Sequence, residues 1–426
     1  MPQSILIKNG RVIDPGQNMD RITNLLIENG RITAYDMQPT GREREIEAEG
    51  KIVVPGLIDL HVHLREPGGE EDETIQTGAA AAINGGYTSI ACIPNTKPPI
   101  DSPSSVEFVQ DQATRADMCN VYVVGTISKG REGKELSEMG FLFKSGVVGF
   151  SDDGSEVENA ELMRRAFEYA KMFNLPIMAH PEDKNLANQG VMNEGTTSIR
   201  LGIRGIPAVA EEIMIARDIM LAEYTKGRLH VMHVSTAKGV ELVRQAKKRG
   251  IDVTAEVTPH HLTLSEELLE TFDSNLKMSP PLRSRADIEA CREGLLDGTI
   301  DCIATDHAPH AMEKKLREID HAPFGVTGLE TALGVIATYL IEPGILTWSM
   351  AIEKMACAPA KILNLKKGTL AIGADADVTI IDPKLRWKVD PKEFRSKSTN
   401  SAYLGKELVG RPVCVIVQGR VRLERR

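Results

Sequence analysis

The chain has 426 residues, 42% of them hydrophobic and 26% charged, with a formal net charge of −9. That length exceeds the about 250–300 residues at which a single core stops growing, so a large domain with an accessory unit is expected. The acidic balance and the lack of a basic tract argue against a nucleic-acid surface, and no apolar stretch reaches the roughly 20 residues of a membrane span.

The N-terminal residues Met1 to Gly10 lack a signal-peptide core and read as a first strand. Next come short β-type runs, Ile5–Ile13 and Asn24–Ala34, carrying Asn9-Gly10 and Asn29-Gly30, the strongest short hairpin signal. Similar runs return at Asp377–Asp382 and Val413–Val421. A lone 55-residue β piece would bury little surface, so both ends are expected to combine in one small β-sandwich, residues 1–54 with 366–426. The segment 55–365 lies between them.

That middle segment alternates apolar runs with helical-period stretches such as Ala160–Phe173 and Ala208–Tyr224. Eight strands are predicted: Gly56–His63, Tyr87–Ile93, Asn120–Gly125, Gly146–Ser151, Leu175–His180, Arg228–His233, Ile251–Val257 and Ile300–Asp306. Eight strand–helix repeats describe an α/β fold, a (β/α)8 TIM barrel. An open doubly wound sheet is the alternative, but no glycine-rich dinucleotide fingerprint follows the first strand. The six cysteines (Cys92, Cys119, Cys291, Cys302, Cys357 and Cys414) form no C-x-x-C pair and read as buried, reduced thiols of a cytoplasmic protein.

Barrel enzymes place their chemistry at the C-terminal ends of the strands. Those ends carry His61 and His63, then Asp152-Asp153, His180, His233 and Asp306. Singly, a buried histidine is usually satisfied by a backbone carbonyl, and an aspartate after a strand often caps the next helix. Together they form a metal-ligand set, because imidazole and carboxylate suit zinc and its neighbours. Six ligands exceed the three that one catalytic zinc needs, and suit two metals about 3.5–4 Å apart. His61, His63 and Asp306 would hold the buried ion, His180 and His233 the outer one, with Asp153 between. Metal coordination would acidify a water to give a nucleophile, and Asp306 is placed to take its proton and pass it to a leaving nitrogen. His230, three residues before His233, is expected to face away and pack. His260 and His261 suit supporting or capping roles, and His321 has none.

With these residues in hand, the chain resembles the amidohydrolase superfamily, and within it the class I (bacterial-type) dihydroorotases, nearly end to end. The motifs are His61-Val62-His63-Leu64-Arg65-Glu66-Pro67-Gly68, Ile93-Pro94-Asn95-Thr96, Ser151-Asp152-Asp153-Gly154, Lys277-Met278-Ser279-Pro280-Pro281-Leu282-Arg283, Ala304-Thr305-Asp306-His307-Ala308-Pro309-His310, Pro323-Phe324-Gly325 and Gly373-Ala374-Asp375-Ala376-Asp377-Val378. The resemblance implies reversible cyclisation of N-carbamoyl-L-aspartate to L-dihydroorotate, a step of pyrimidine synthesis, with one or two zinc ions per subunit. Hydantoinases and allantoinases bridge their metals with a carboxylated lysine; here that place holds Asp153, the dihydroorotase bridge, while Lys144 precedes the strand. Arg65 would pair with the substrate's unreactive carboxylate; its ordinary reading is a salt bridge to Glu66 or Glu70. By resemblance Asn95 and His310 complete that clamp, His63 also lies at the substrate, and Phe324 and Gly325 touch the ring through backbone groups. The family usually has asparagine where this chain has Ser279, kept as a pocket residue. The charged segment 311–322 reads as a mobile loop near the pocket. Alternatives are another cyclic-amide hydrolase of hydantoinase or allantoinase type, or a non-catalytic scaffold for aspartate transcarbamoylase. A homo-oligomer and association with that transcarbamoylase both stay open, with no nucleic acid or membrane as partner.

Overall fold

A computed structural model describes residues 4–425. All eight predicted barrel strands are present: Leu57–Val62, Tyr87–Cys92, Asn120–Gly125, Val147–Phe150, Ile177–Ala179, Leu229–Val231, Val253–Val257 and Cys302–Ile303, referred to below as barrel strands 1 to 8. They pair in parallel in sequence order. A parallel bridge between Val62 and His307 closes the ring, and the His63 N–H donates to the His307 carbonyl at 2.9 Å. The fold is therefore the (β/α)8 barrel expected.

Strand residues divide by parity, as the two-residue strand period requires. Leu60, Ala91, Val124, Val148, Met178, Met232 and Ala304 fill the barrel interior as one cluster. Their neighbours, among them Ile90, Val123, Ile177 and Val231, face the surrounding helices. The helix Ala160–Met172 begins at Asn159, whose side chain accepts from the Glu161 and Leu162 N–H groups. It buries Met163, Ala166, Phe167 and Ala170, the 3.6-residue spacing read from the sequence.

The terminal segments meet in one hydrogen-bonded sheet of eight strands, in which Val378–Lys388 pairs with Ile52–Pro55 and so joins the two ends of the chain. Alternation again assigns the faces. Val12, Val53, Ile380 and Ile416 enter the sheet's own core, while Ile13, Ile52, Ile381 and Val415 pack on the barrel.

One hairpin expectation is corrected. Asn29-Gly30 makes its turn, with φ of 53° and 77° between the paired Glu28 and Arg31. Asn9-Gly10 does not, because the strand Ile5–Asp14 runs straight through it with a register shift between Ile7 and Gly10. The pair forms a β-bulge, Asn9 taking φ 59°. A Cβ at Gly10 would stand 2.5 Å from Val53 Cγ2, so the glycine admits the neighbouring strand. Among the described residues no helix is long and apolar enough to cross a membrane.

Candidate metal centre and substrate pocket

Six predicted ligands come together at the C-terminal mouth of the barrel. His63 Nε2 lies 3.0 Å from Asp306 Oδ1 and 3.5 Å from Asp153 Oδ2. His61 Nε2 lies 3.4 Å from Asp306 Oδ1 and 3.7 Å from Asp153 Oδ1. Across the cluster His180 Nδ1 is 3.0 Å from Asp153 Oδ1 and 2.8 Å from His233 Nε2. Asp153 thus stands between a His61/His63/Asp306 group and a His180/His233 group. Asp152 is not among them: its carboxylate accepts from the Ile127 and Ser128 N–H groups at 2.8 and 3.1 Å and ties barrel strand 4 to the loop after strand 3.

The donor set fits a metal. His61 Nδ1–H donates to Glu256 Oε1 at 2.6 Å, which leaves Nε2 as a bare acceptor. That Nε2 is buried without a hydrogen-bond partner among the described residues and faces two carboxylates, an arrangement of lone pairs that a cation resolves. His63 is fixed in the same way, its Nδ1–H donating to Asn95 Oδ1 at 2.9 Å. Burial opposes charge on His61, but the Glu256 and Asp306 carboxylates outweigh it and raise its pKa well above the ordinary value. Burial likewise opposes charge on His180, yet Asp153 lifts it to about 9. Asp153 and Asp306, despite burial, are held below the usual carboxylate range by the surrounding histidines. A cluster that holds protons this firmly draws positive charge, and a metal ion supplies it in their place.

Backbone conformation converges on the same spot. Arg65, His233 and Asp306 adopt φ of 62°, 32° and 47°, sparsely populated for non-glycine residues and concentrated at functional sites.

A cavity of about 160 Å3 opens above the ligands, lined by Arg65, Asn95, Ser279, His310, Phe324 and Gly325 together with the ligands. Arg65 is half-buried, with Nε donating to the Pro309 carbonyl at 3.1 Å and Nη2 3.2 Å from His310 Nε2. No salt bridge to Glu66 or Glu70 forms: Glu66 accepts from the Ile75 N–H and Glu70 from the Gly68 N–H. His310 Nε2–H donates to the Phe324 carbonyl at 2.7 Å, and burial with the Arg65 charge pushes its pKa down to about 3. The Gly325 N–H donates to Lys277 O, and its carbonyl accepts from Lys315 Nζ and Asn400 Nδ2. Gly325 therefore shapes the pocket by its backbone path, with φ 119° and no room for a Cβ 2.6 Å from that of Ala308.

Several contributors escaped the sequence reading. Glu256, fully buried, also accepts from His230 Nε2–H at 3.0 Å and from the His233 N–H at 3.2 Å. His230 is buried as expected, but it points into the barrel interior, not away from the centre. It shares the parity of Met232, and the change of direction comes after Val231, where the strand ends. Asn400 reaches in from the C-terminal segment, accepting from the His310 N–H at 3.0 Å and donating to the Ala308 and Gly325 carbonyls. Lys315, inside the charged segment 311–322, donates to the Pro323 and Gly325 carbonyls at 3.0 Å each, and burial pushes its pKa down to about 7. His261 bonds Thr258 and the Pro280 carbonyl, a supporting role, and His260 Nε2 is buried without a partner among the described residues.

A Dihydro-orotase-like family model matches residues 50–239. The chain is 51% identical to the dihydroorotase of Endomicrobium trichonymphae over 97% of its own length and 98% of the relative's. It is also 51% identical to the dihydroorotase of Pelobacter propionicus, over 98% of this chain and 99% of that one. Among solved structures, the L-hydantoinase (dihydropyrimidinase) of Arthrobacter aurescens superimposes with a TM-score of 0.90 at 27% identity, covering 100% of this chain and 97% of that one. Near-complete coverage at half identity, on the barrel and ligand arrangement described above, shows that the chain belongs to the dihydroorotase family of cyclic amidohydrolases.

Proposed function

We propose that this chain interconverts L-dihydroorotate and N-carbamoyl-L-aspartate, a step of pyrimidine synthesis, with zinc held by His61, His63, Asp153, His180, His233 and Asp306. The observation that carries the substrate is Arg65. A half-buried guanidinium with no carboxylate partner among the described residues stands at the rim of the ligand cluster. Dihydroorotate brings a carboxylate that the reaction does not touch, and Arg65 can bind it through paired N–H groups. Asn95, its Oδ1 engaged by His63, keeps an amide N–H2 for the same group.

A metal held by these six residues would supply Lewis acidity toward a carbonyl and toward water. The chain's own residues do the rest. Glu256 and Asn95 fix the two strand-1 imidazoles so that each presents Nε2. Asp306 Oδ1, 3.0 Å from His63 Nε2 and open to the cavity, takes a proton on the attacking side and delivers it to the ring nitrogen as the C–N bond breaks. His310 is neutral, so the positive charge facing the substrate carboxylate belongs to Arg65.

The hydantoinase-type alternative has a structural basis in the overall likeness, but Lys144, the lysine nearest strand 4 in sequence, is exposed at the far end of a short helix. On the dihydroorotase reading Asp153, which faces His61, His63, His180 and His233, would take the bridging place. The complete ligand set also disfavours a non-catalytic scaffold. The test is conversion of L-dihydroorotate to N-carbamoyl-L-aspartate by zinc-loaded protein, with Asp306→Ala as control. Turnover lost in the variant is expected; turnover that survives Asp306→Ala would remove that residue from its role.

A further inference from the structure

Ser279, where the family usually has asparagine, has a partner that defines its polarity. Its hydroxyl donates to Glu182 Oε2 at 3.0 Å. A carboxylate at neutral pH only accepts, so this bond commits the one proton of the serine. What Ser279 then turns toward the cavity it lines is oxygen lone pairs. An asparagine there would offer both an acceptor and N–H donors; Ser279 held by Glu182 offers only an acceptor.

Barrel topology fixes where that acceptor lies. Arg65 follows strand 1, Asn95 strand 2 and His310 strand 8, three neighbours around the closure between Val62 and His307. Glu182 follows strand 5, which is half-way round an eight-stranded ring from strand 1. Ser279 comes from the connection after strand 7, and its hydroxyl reaches Glu182, so its oxygen lies on the side of the cavity toward Glu182, His180 and Phe324 and apart from Arg65 and Asn95. In a six-membered dihydroorotate ring, the atom directly across from the carboxylate-bearing carbon is the imide nitrogen, which carries an N–H. With the carboxylate on Arg65, that N–H meets the Ser279 oxygen.

We propose that Glu182 is a positioning residue for substrate recognition. By holding the Ser279 hydroxyl proton it turns the serine oxygen into a dedicated acceptor for the imide N–H, the terminal ureido N–H of the open form. The inference rests on the dihydroorotate reading of the pocket. It also explains how this chain works without the usual asparagine: the position keeps the acceptor and drops the donor.

The test compares inhibition of dihydroorotate hydrolysis by N-carbamoyl-L-aspartate and by N-acetyl-L-aspartate, which has a methyl group in place of the terminal ureido nitrogen. In the wild-type protein the acetyl compound should bind at least about tenfold more weakly, since it puts a methyl group against a half-buried acceptor and leaves it unpaired. Ser279→Ala and Glu182→Ala should each bring the ratio to within about threefold of one, and Glu182→Gln, whose amide oxygen can still accept the serine proton, should fall between. Glu182→Ala should raise KM more than it lowers kcat, with bound metal unchanged. A wild-type protein with no preference, or a ratio that survives both alanine substitutions, would overturn the proposal. Failure of wild-type protein to turn over dihydroorotate would instead overturn the functional reading, and calorimetric titration of the two compounds would still measure the ratio.

Discussion

Glu256 is the residue on which the metal centre is expected to depend most without touching the metal. It is fully buried and accepts three hydrogen bonds, from His61 Nδ1–H at 2.6 Å, His230 Nε2–H at 3.0 Å and the His233 N–H at 3.2 Å. Burial would raise its pKa, but the His61 charge and the two imidazole bonds hold it down at about 2, so it is ionised. Two replacements separate its two effects. In Glu256→Gln the amide oxygen can serve His61 and the His233 N–H, which share Oε1. The amide N–H2 then faces His230, which adapts by moving its proton to Nδ1 and donating to Thr254 Oγ1, 2.8 Å away. Packing and hydrogen bonding survive, and the loss is the negative charge that makes His61 a strong ligand. Removing such a partner lowers metal affinity by about 10–100-fold. In Glu256→Ala three buried donors lose their acceptor at about 1–3 kcal/mol each. That is a large part of the about 5–15 kcal/mol that stabilises a typical fold. Zinc affinity measured against a competing chelator, together with thermal unfolding of the metal-free protein, distinguishes the cases. The glutamine variant should fold near the wild-type temperature and bind zinc weakly; the alanine variant should unfold far lower. A glutamine variant with wild-type zinc affinity, or an alanine variant with wild-type stability, would refute the reasoning.

Asn400→Ala should raise KM for dihydroorotate about tenfold while bound metal stays constant, because Asn400 holds His310 and Gly325 but no ligand; unchanged KM would remove it from the pocket. Ring closure consumes one proton and removes one carboxylate charge. The equilibrium ratio of dihydroorotate to N-carbamoyl-L-aspartate should therefore fall about tenfold per unit rise in pH above the carboxylate range, and a ratio independent of pH would contradict the assigned reaction. All six cysteines are buried, and burial pushes Cys92, Cys119, Cys357 and Cys414 up to about 12. Native protein at pH 8 should therefore react negligibly with a thiol reagent and yield six thiols only after unfolding.

What the sequence made legible follows from how far each signal reaches. Barrel strands such as Tyr87–Cys92 are short apolar runs that must be buried on both faces, so composition alone marks them. The proposed ligands were legible because each sits where a strand ends, and strand ends were already located. Asp153 could be preferred over Asp152 only through family resemblance; in the structure Asp152 is occupied by the Ile127 and Ser128 N–H groups, while Asp153 faces the histidines. Asn9-Gly10 misled because the dipeptide encodes a left-handed step, which serves a bulge as well as a hairpin. The partner strand, not the dipeptide, decides between them. Glu256, Glu182 and Asn400 carry no local signal. Each meets its partner from far along the chain, 195 residues for Glu256 and His61, 97 for Glu182 and Ser279 and 90 for Asn400 and His310, and one sequence holds no trace of such pairs.

The central claim is that a metal centre and a carboxylate clamp act together on one ring. The direct measurement is kcat/KM of the zinc-loaded protein for L-dihydroorotate against 5,6-dihydrouracil, the same ring without the carboxylate, in the wild type and in Arg65→Met. The wild type should favour dihydroorotate by at least about a hundredfold, and Arg65→Met should erase most of that preference while retaining metal. Equal or faster turnover of dihydrouracil by the wild type would contradict the account and return the pocket to hydantoinase-type chemistry.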